Sequence, residues 1–322
     1  MRLLFTLTLL LVTTLSFAQR QNVYFLKNDG RYVTIRDSAD YIRMVSEPDS
    51  ISTLYSVSEF YPNGSRKLAG KSSVIDPPKF EGTCITYYKS GQKQSICNYK
   101  SGRLVGDEFN YYPNGKLWLV TKYPGDVQIS NNFTNDYLIS AEYDSLGTPL
   151  VTDGNGYYKG FDDKFKTVVE EGNLKDGKRD GQWKGKDSDS SMSYTETYNN
   201  GNLISGTSVG KNGDFVKYTK SRDVEPQYKG GVQAFRNYIS RNVKYPDYEL
   251  KHKIQGKVIL SFIIEKDGKV SNIKVLNSVS AAIDNEAIRV LQGSRDWIPG
   301  TQYGRKVRVR YSIPLNFSVS GG

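Results

Sequence analysis

The sequence predicts a mainly β protein: a tandem array of β-hairpins, then a smaller α+β domain whose three-stranded, antiparallel-type sheet carries two helices on one face. Three observations predict it. Tyr (24) and Gly (30) are abundant among the 322 residues while aliphatic content is modest, which favours many short strands joined by Gly turns over a helix bundle. Glycines recur at a fixed period: Gly91 and Gly115 lie 24 residues apart in matching contexts, as do Gly177 and Gly201, the mark of a repeat array. The last hundred residues abandon that period for two helical and three strand patterns.

The elements follow in order. Arg2 precedes an apolar run from Leu3 to Phe17, which as a helix spans ~22 Å and falls short of a ~30 Å hydrocarbon core. Small residues Ser16 and Ala18 and the polar "QRQN" come next. This is the layout of a secretory signal peptide over residues 1–18, leaving a mature N-terminus at Gln19. The alternative is a short retained anchor. No later segment approaches the ~18 apolar residues of a membrane helix.

Residues 19–222 form the repeat region: "SEFYPNGSRKL", "ITYYKSGQKQSICNYKSGRLVGDEFNYYPNGKLW", "EEGNLKDGKRDGQWKG" and "ETYNNGNLISGTSVGKNGDF". Each unit reads as an aromatic strand, a tight turn ending in Gly, and a second strand. In "YYPNGKLW" the ring of Pro113 presets the first central position of a type I turn, and Gly115 supplies a left-handed residue. The expectation is a three-residue loop with a Gly bulge, flanked by Tyr111, Trp118 and Tyr123 as packing residues. The Asp153-Gly154-Asn155-Gly156 cluster lacks the ligand run and closing Glu of a calcium loop and reads as a turn. With a bulged loop at Gly91, Tyr88 pairs with Gln92, so Cys84 faces Ile96, Cys97 turns to the other face, and no disulfide is expected within the hairpin. A two-residue Ser90-Gly91 turn would instead oppose the two cysteines. Two cysteines make no disulfide framework.

Residues 223–322 form the second domain. Val232, Phe235, Tyr238 and Ile239 recur at helical spacing until Pro246. "GKVILSFIIEKDGKVSNIKVLN" is two strands about an Asp267-Gly268 turn, with Val258, Leu260, Phe262 and Ile264 on one face. "SAAIDNEAIRVLQ" is a second helix, with Asp284 and Glu286 near the positive end of its dipole. In "RKVRVRYSIPLNFSV", Val307, Val309, Tyr311 and Ile313 point in while Lys306, Arg308, Arg310 and Ser312 point out. A crossover helix gives the sheet order two, one, three, so the third strand is a long edge. Pro314 removes one edge amide, and the amide of Val309 is expected among the rest.

Net charge is +10, and residues 224–322 hold 16 Lys and Arg against 8 Asp and Glu. For an exported chain this basic balance points to an anionic envelope surface or an acidic peptide, with no nucleic-acid partner, or else to charges kept for solubility and for protecting sheet edges. No cofactor or metal is expected and the chain does not read as an enzyme. Its single His, His252, lies among lysines with no nucleophile in view, and Trp183 and Trp297 read as core.

Two resemblances carry the functional reading. The repeats, above all "GNLKDGKRDGQWKG", resemble MORN-type repeats and the related repeats of antitoxin-like proteins. "YP", "QGKVILSFIIEKDGKV", "DNEAIRVL", "WIPG" and "VRVRYSIPLNF" stand in the order and spacing of the C-terminal domain of TonB-family energy transducers, in the Bacteroidetes-type version with "PQYKGG" before the first helix. The resemblance implies β-augmentation: an extended peptide of an outer-membrane transporter, a TonB-box-like segment, adds to the last strand, and an inner-membrane motor pulls if the leader is retained as an anchor. Carried over, the site is Val307, Arg308, Val309, Arg310, Tyr311, Ser312 and Ile313, flanked by Lys244, Tyr245 and Pro246. Lys244 stands where a Gln is common in the family, and Glu249 where an Ala is. The implied location is the periplasm or cell envelope of a Gram-negative bacterium. The competing reading is an exported scaffold that binds an envelope polymer or protein with no transport role.

Overall fold

The protein is described by a computed structural model covering residues 20–49, 51–125, 137–187, 191–295 and 297–319; the expected leader, residues 1–18, lies outside the described residues. The chain divides at Gly154 into two compact units.

The first unit is an antiparallel meander. Its strands are β1 (Gln21–Leu26), β2 (Tyr32–Val33), β3 (Tyr41–Ser46), β4 (Tyr55–Phe60), β5 (Arg66–Ser72), β6 (Phe80–Tyr87), β7 (Lys93–Lys100), β8 (Arg103–Tyr111), β9 (Leu117–Tyr123), β10 (Leu138–Tyr143) and β11 (Pro149–Thr152). From β3 to β11 each strand pairs with the next, while β1 pairs with both β2 and β3. Two kinds of turn join them. The bulged loop expected from "YPNG" is present: the Tyr112 N–H donates to Lys116 O at 2.8 Å and the Gly115 N–H to Tyr112 O at 2.8 Å, with Gly115 at φ 83°. Tyr61, Tyr88 and Asp144 open loops of the same form. The β7–β8 turn is instead a two-residue turn with Ser101 at φ 54° and Gly102 at φ 77°, so the bulged assignment does not extend to every Gly of the repeat.

The repeat explains two further regularities. Each turn tyrosine donates its hydroxyl to the carbonyl that precedes the next loop: Tyr61 to Tyr87 O at 2.9 Å, Tyr88 to Tyr111 O at 2.6 Å and Tyr112 to Tyr143 O at 3.0 Å. The loops are thereby stitched into a stack, and Tyr112, rather than Tyr111, is the buried member of its pair. Each bulged loop is also followed, three positions after its Gly, by a residue that the ladder register skips, at Lys67, Gln94, Trp118 and Leu150. That extra residue shifts the register by one. Tyr88 does face Gln92, as expected, but Cys84 lies directly opposite Cys97, not Ile96, because Gln94 is left over.

The second unit begins with β12 (Asn155–Phe161), β13 (Val168–Lys175), β14 (Lys178–Lys186), β15 (Met192–Asn199), β16 (Asn202–Gly210) and β17 (Phe215–Tyr218), again paired in sequence. Its Asp176-Gly177 and Asn200-Gly201 turns are two-residue turns with both φ positive, as suits the twist of a hairpin. Trp183 is buried to 1% exposure, as expected, and sits across from Gly172, where a Cβ would come within 2.4 Å of the ring. A side chain there would expel the indole, which explains the Gly–aromatic pairing of this repeat.

Within the same unit lies a buried charge network that sequence reading did not find. Glu196 accepts from Tyr218 at 2.7 Å, Tyr198 at 3.0 Å and Arg222 at 2.5 Å. Glu170 accepts from Arg179 at 2.7 Å and Tyr194 at 3.0 Å. Burial pushes the Glu170 carboxyl up, but the guanidinium groups of Arg179 and Arg222 outweigh it and hold it below its ordinary value. Over this network stacks Tyr303, its ring 4.7 Å from that of Tyr194 and its N–H donating to Arg222 O at 2.6 Å.

The remaining elements are β18 (Asp223–Val224), β19 (Gln227–Tyr228), α1 (Gly231–Asn242), α2 (Asp247–Lys251), β20 (Gly256–Ile264), β21 (Val270–Asn277), α3 (Ala281–Gly293), β22 (Trp297–Ile298), β23 (Thr301–Gln302), β24 (Arg305–Lys306) and β25 (Val309–Phe317). The three-stranded sheet has the expected order β21-β20-β25. Val258, Leu260, Phe262 and Ile264, all fully buried, pack against Ile283, Ala287 and Leu291 of α3 and against Phe235, Tyr238 and Ile239 of α1. Val232 is 69% exposed at the first turn of α1 and does not join them. Pro246 does not end α1, which stops at Asn242; it leads into the short α2. Trp297 is core, its Nε1–H donating to Ser294 Oγ at 3.0 Å, and the "PQY" segment pairs with it through Tyr228.

Candidate functional site

Residue by residue, β25 has two faces and one edge that no other described strand pairs. Val309, Tyr311 and Ile313 are half-buried, Leu315 and Phe317 are buried, and Arg310, Ser312, Pro314 and Asn316 are exposed. The expected alternation is present. The strand is shorter at its start than expected: Val307 and Arg308 precede it. Arg305 and Lys306 form a small ladder with Thr301 and Gln302, and the Val307 N–H is spent on Gly300 O at 3.0 Å.

The register decides which amides face outward. The Glu265 N–H donates to Lys269 O at 2.8 Å, on the β21 side of β20, and Asn277 Nδ2–H reaches Lys257 O on that same side. Backbone groups alternate sides along a strand, so the even-numbered residues of β20 bond β25. Their partners are Val309, Tyr311, Ile313, Leu315 and Phe317. The outward groups therefore belong to Arg310, Ser312, Pro314 and Asn316. Val309 directs its amide inward to Ile264, contrary to expectation, and the outward donors before Pro314 are the amides of Arg310 and Ser312. Pro314 sits where a missing N–H removes no ladder bond.

The charge on this edge is uneven. Arg308 makes a two-pronged ion pair with Glu265, at 2.7 and 2.9 Å, and its hydrogen bonds, with that of Ser271, hold the Glu265 carboxyl below its ordinary value. Arg308 is thus matched by a carboxylate that sequence reading missed. The spacing Glu265…Asp267-Gly268, which ends β20 beside the start of β25, was the available signal.

Lys244, Tyr245 and Pro246 lie at the other end of the strand. The Tyr245 ring meets Phe317 edge-on at 5.8 Å, and its hydroxyl donates to Ile254 O at 2.7 Å. The Lys244 N–H donates to Glu286 Oε1 at 2.5 Å while its side chain is exposed. At ~3.4 Å per residue, Phe317 is ~27 Å from Val309, so the structure does not bring the flanking residues together with Val307 and Arg308. Glu249 is buried and accepts from Ser280 Oγ at 2.9 Å. His252 is exposed and stacks on Tyr248 at 4.0 Å. Among the described residues no His, Cys, Asp or Glu group is arranged to hold a metal, and Asp153-Gly154 is a turn with both φ positive. No helix among the described residues is long and apolar enough to cross a membrane.

Residues 241–319 match the family model for the Gram-negative bacterial TonB protein C-terminal, and residues 80–101 and 104–123 match the MORN repeat variant. Comparison with curated proteins finds no match. Among solved structures the chain is similar to an NMR solution structure of the Helicobacter pylori TonB C-terminal domain (its residues 194–285), at 24% identity over 28% of this chain and 96% of that one, with a TM-score of 0.24. A second NMR structure of that domain (its residues 179–285) is 22% identical over 28% of this chain and 82% of that one, with a TM-score of 0.23. The chain therefore joins MORN-like repeats to a domain of the TonB C-terminal type.

Proposed function

We propose that β25 is the docking edge for an extended peptide of an outer-membrane transporter, in a cell-envelope protein of a Gram-negative bacterium that serves energy-dependent transport. The observation that carries this reading is the outward row of backbone groups at Arg310 and Ser312, which no other described strand pairs. An incoming strand would exchange hydrogen bonds with these groups, lay alternate side chains against Tyr311 and Ile313, and set the others beside Arg310. A segment of eight or more residues would pass Pro314 and reach Tyr245. On this reading residues 19–222 present the domain formed by 223–322. The role is binding, not catalysis. An inner-membrane motor is a partner only if residues 1–18 stay attached.

The test is a titration of the chain from Gln19 onward, followed by the backbone amide NMR signals, with a ten-residue peptide alternating Val and Glu. The largest shifts are expected at Arg310, Ser312 and Tyr311, weakening as salt rises because exposed charges are screened beyond ~8 Å at physiological ionic strength. Shifts confined to α1, α3 or the β20–β21 hairpin would overturn the reading.

A further inference from the structure

We propose that Cys84 and Cys97 are a redox site, closing to a cross-strand disulfide between β6 and β7 by exchange with a low-molecular-weight disulfide. The two residues are direct partners in the ladder, and opposed residues of an antiparallel pair have Cα atoms ~4.5–5.5 Å apart, inside the span a disulfide bridges. Both are buried, at 2% and 5% exposure, and both are free thiols. The Cys97 thiol reaches across to Cys84 O at 3.7 Å, so its sulfur already lies over the partner strand.

The repeat strengthens the assignment. The same leftover residue after each bulged loop places Val57 opposite Gly70 and Glu108 opposite Thr121 at the equivalent positions. In the second of these the side chains join across the strands, Thr121 Oγ1 donating to Glu108 at 3.2 Å. The position is therefore one where facing side chains meet, and in the β6–β7 hairpin both are cysteines. Gly70 on the neighbouring strand leaves room for sulfur: a Cβ there would stand 3.2 Å from Cys84 Sγ.

In the opened hairpin one of the two thiols, written here as Cys97, ionises first, because the thiolate is the nucleophile. Its sulfur attacks one sulfur of oxidised glutathione and releases a glutathione thiolate. Cys84, having given up its proton, attacks the Cys97 sulfur of the mixed disulfide and releases the second glutathione. Two thiols of the chain are oxidised and one glutathione disulfide is reduced. Because both sulfurs are buried, attack requires the hairpin to open, as it does during folding.

The test uses the whole chain from Gln19 onward, reduced, unfolded in guanidinium and refolded in a mixture of reduced and oxidised glutathione. It is then unfolded again, alkylated without reductant and weighed. The expected result is a monomer lighter by two hydrogens that takes up no alkylating agent. A parallel sample is held folded in the same mixture with urea below the unfolding transition, so that a failure to refold does not obscure the outcome; the same product is expected, formed more slowly. Two alkylated cysteines in both samples, or a glutathione adduct that persists on one of them, would overturn the proposal.

Discussion

Two proline substitutions on β25 separate the edge that holds the domain together from the edge proposed to bind. Val309 directs its N–H to Ile264, a fully buried residue of β20, so Val309→Pro deletes that ladder bond and strands a buried carbonyl. An unsatisfied buried acceptor costs about 1–3 kcal/mol, which in a unit of this size lowers the melting midpoint by roughly 2–10 °C. Ser312 is exposed and its amide points outward, and Pro314 two residues on already shows that the strand accommodates the ring. Ser312→Pro should leave the midpoint within about 2 °C of the parent, as a surface change. It should weaken the Val/Glu peptide at least about fivefold, since one backbone hydrogen bond is worth ~1 kcal/mol and the ring also obstructs the incoming carbonyl. Calorimetric unfolding and peptide titration on each variant are the assays. If Ser312→Pro unfolds as early as Val309→Pro, the assignment of inward and outward amides is wrong. If it folds normally and binds the peptide as well as the parent does, the edge is not the binding site.

Arg310→Glu should weaken the same peptide more than Arg308→Gln does, because Arg308 is already neutralised by Glu265; equal losses in the titration would count against the uneven edge. Trp183→Ala should destabilise the second unit by about 3–5 kcal/mol, read as a drop in the denaturant midpoint, because it empties a site that Gly172 leaves open for the indole. The Glu170 carboxyl is held below its ordinary value, so its stabilising contribution is complete at neutral pH and is lost as the pH falls through and below the ordinary carboxylate range, about pH 4. Acid unfolding followed by tyrosine fluorescence should therefore be less steep in Glu170→Gln, and an unchanged profile would exclude this carboxylate as a contributor. Ser280→Ala removes the side-chain cap that accepts the Ile283 N–H at 3.2 Å and should cost about 1 kcal/mol, measured as a shift in the urea midpoint.

Much of the fold is written locally. "YPNG" encodes its own loop, because the ring of Pro113 and the left-handed freedom of Gly115 act within four residues and need no partner. The alternation from Val258 to Ile264 names the inner face of β20, since the side-chain period of a strand is two whatever it packs against. The proposed edge was readable to the same depth: which side chains of β25 point out follows from alternation alone.

The kind of each element, its turn chemistry and its buried face are therefore set locally, by interactions a few residues long. Tertiary structure decided the registers. The leftover residue at Gln94 slides β7 by one position, which brings Cys84 to Cys97; a one-residue slip reverses facing side chains without altering either strand's own pattern. The partners of long-range charges were decided there too: Arg308 meets Glu265 across 43 residues, and Arg222 meets Glu170 across 52, because packing brings distant segments within hydrogen-bond reach. Whether an amide of β25 faces β20 or the open edge depends on the phase of a ladder formed between segments some fifty residues apart. Neither segment carries that phase alone, so the inward amide of Val309 and the outward amide of Ser312 could be distinguished only once the strands were paired.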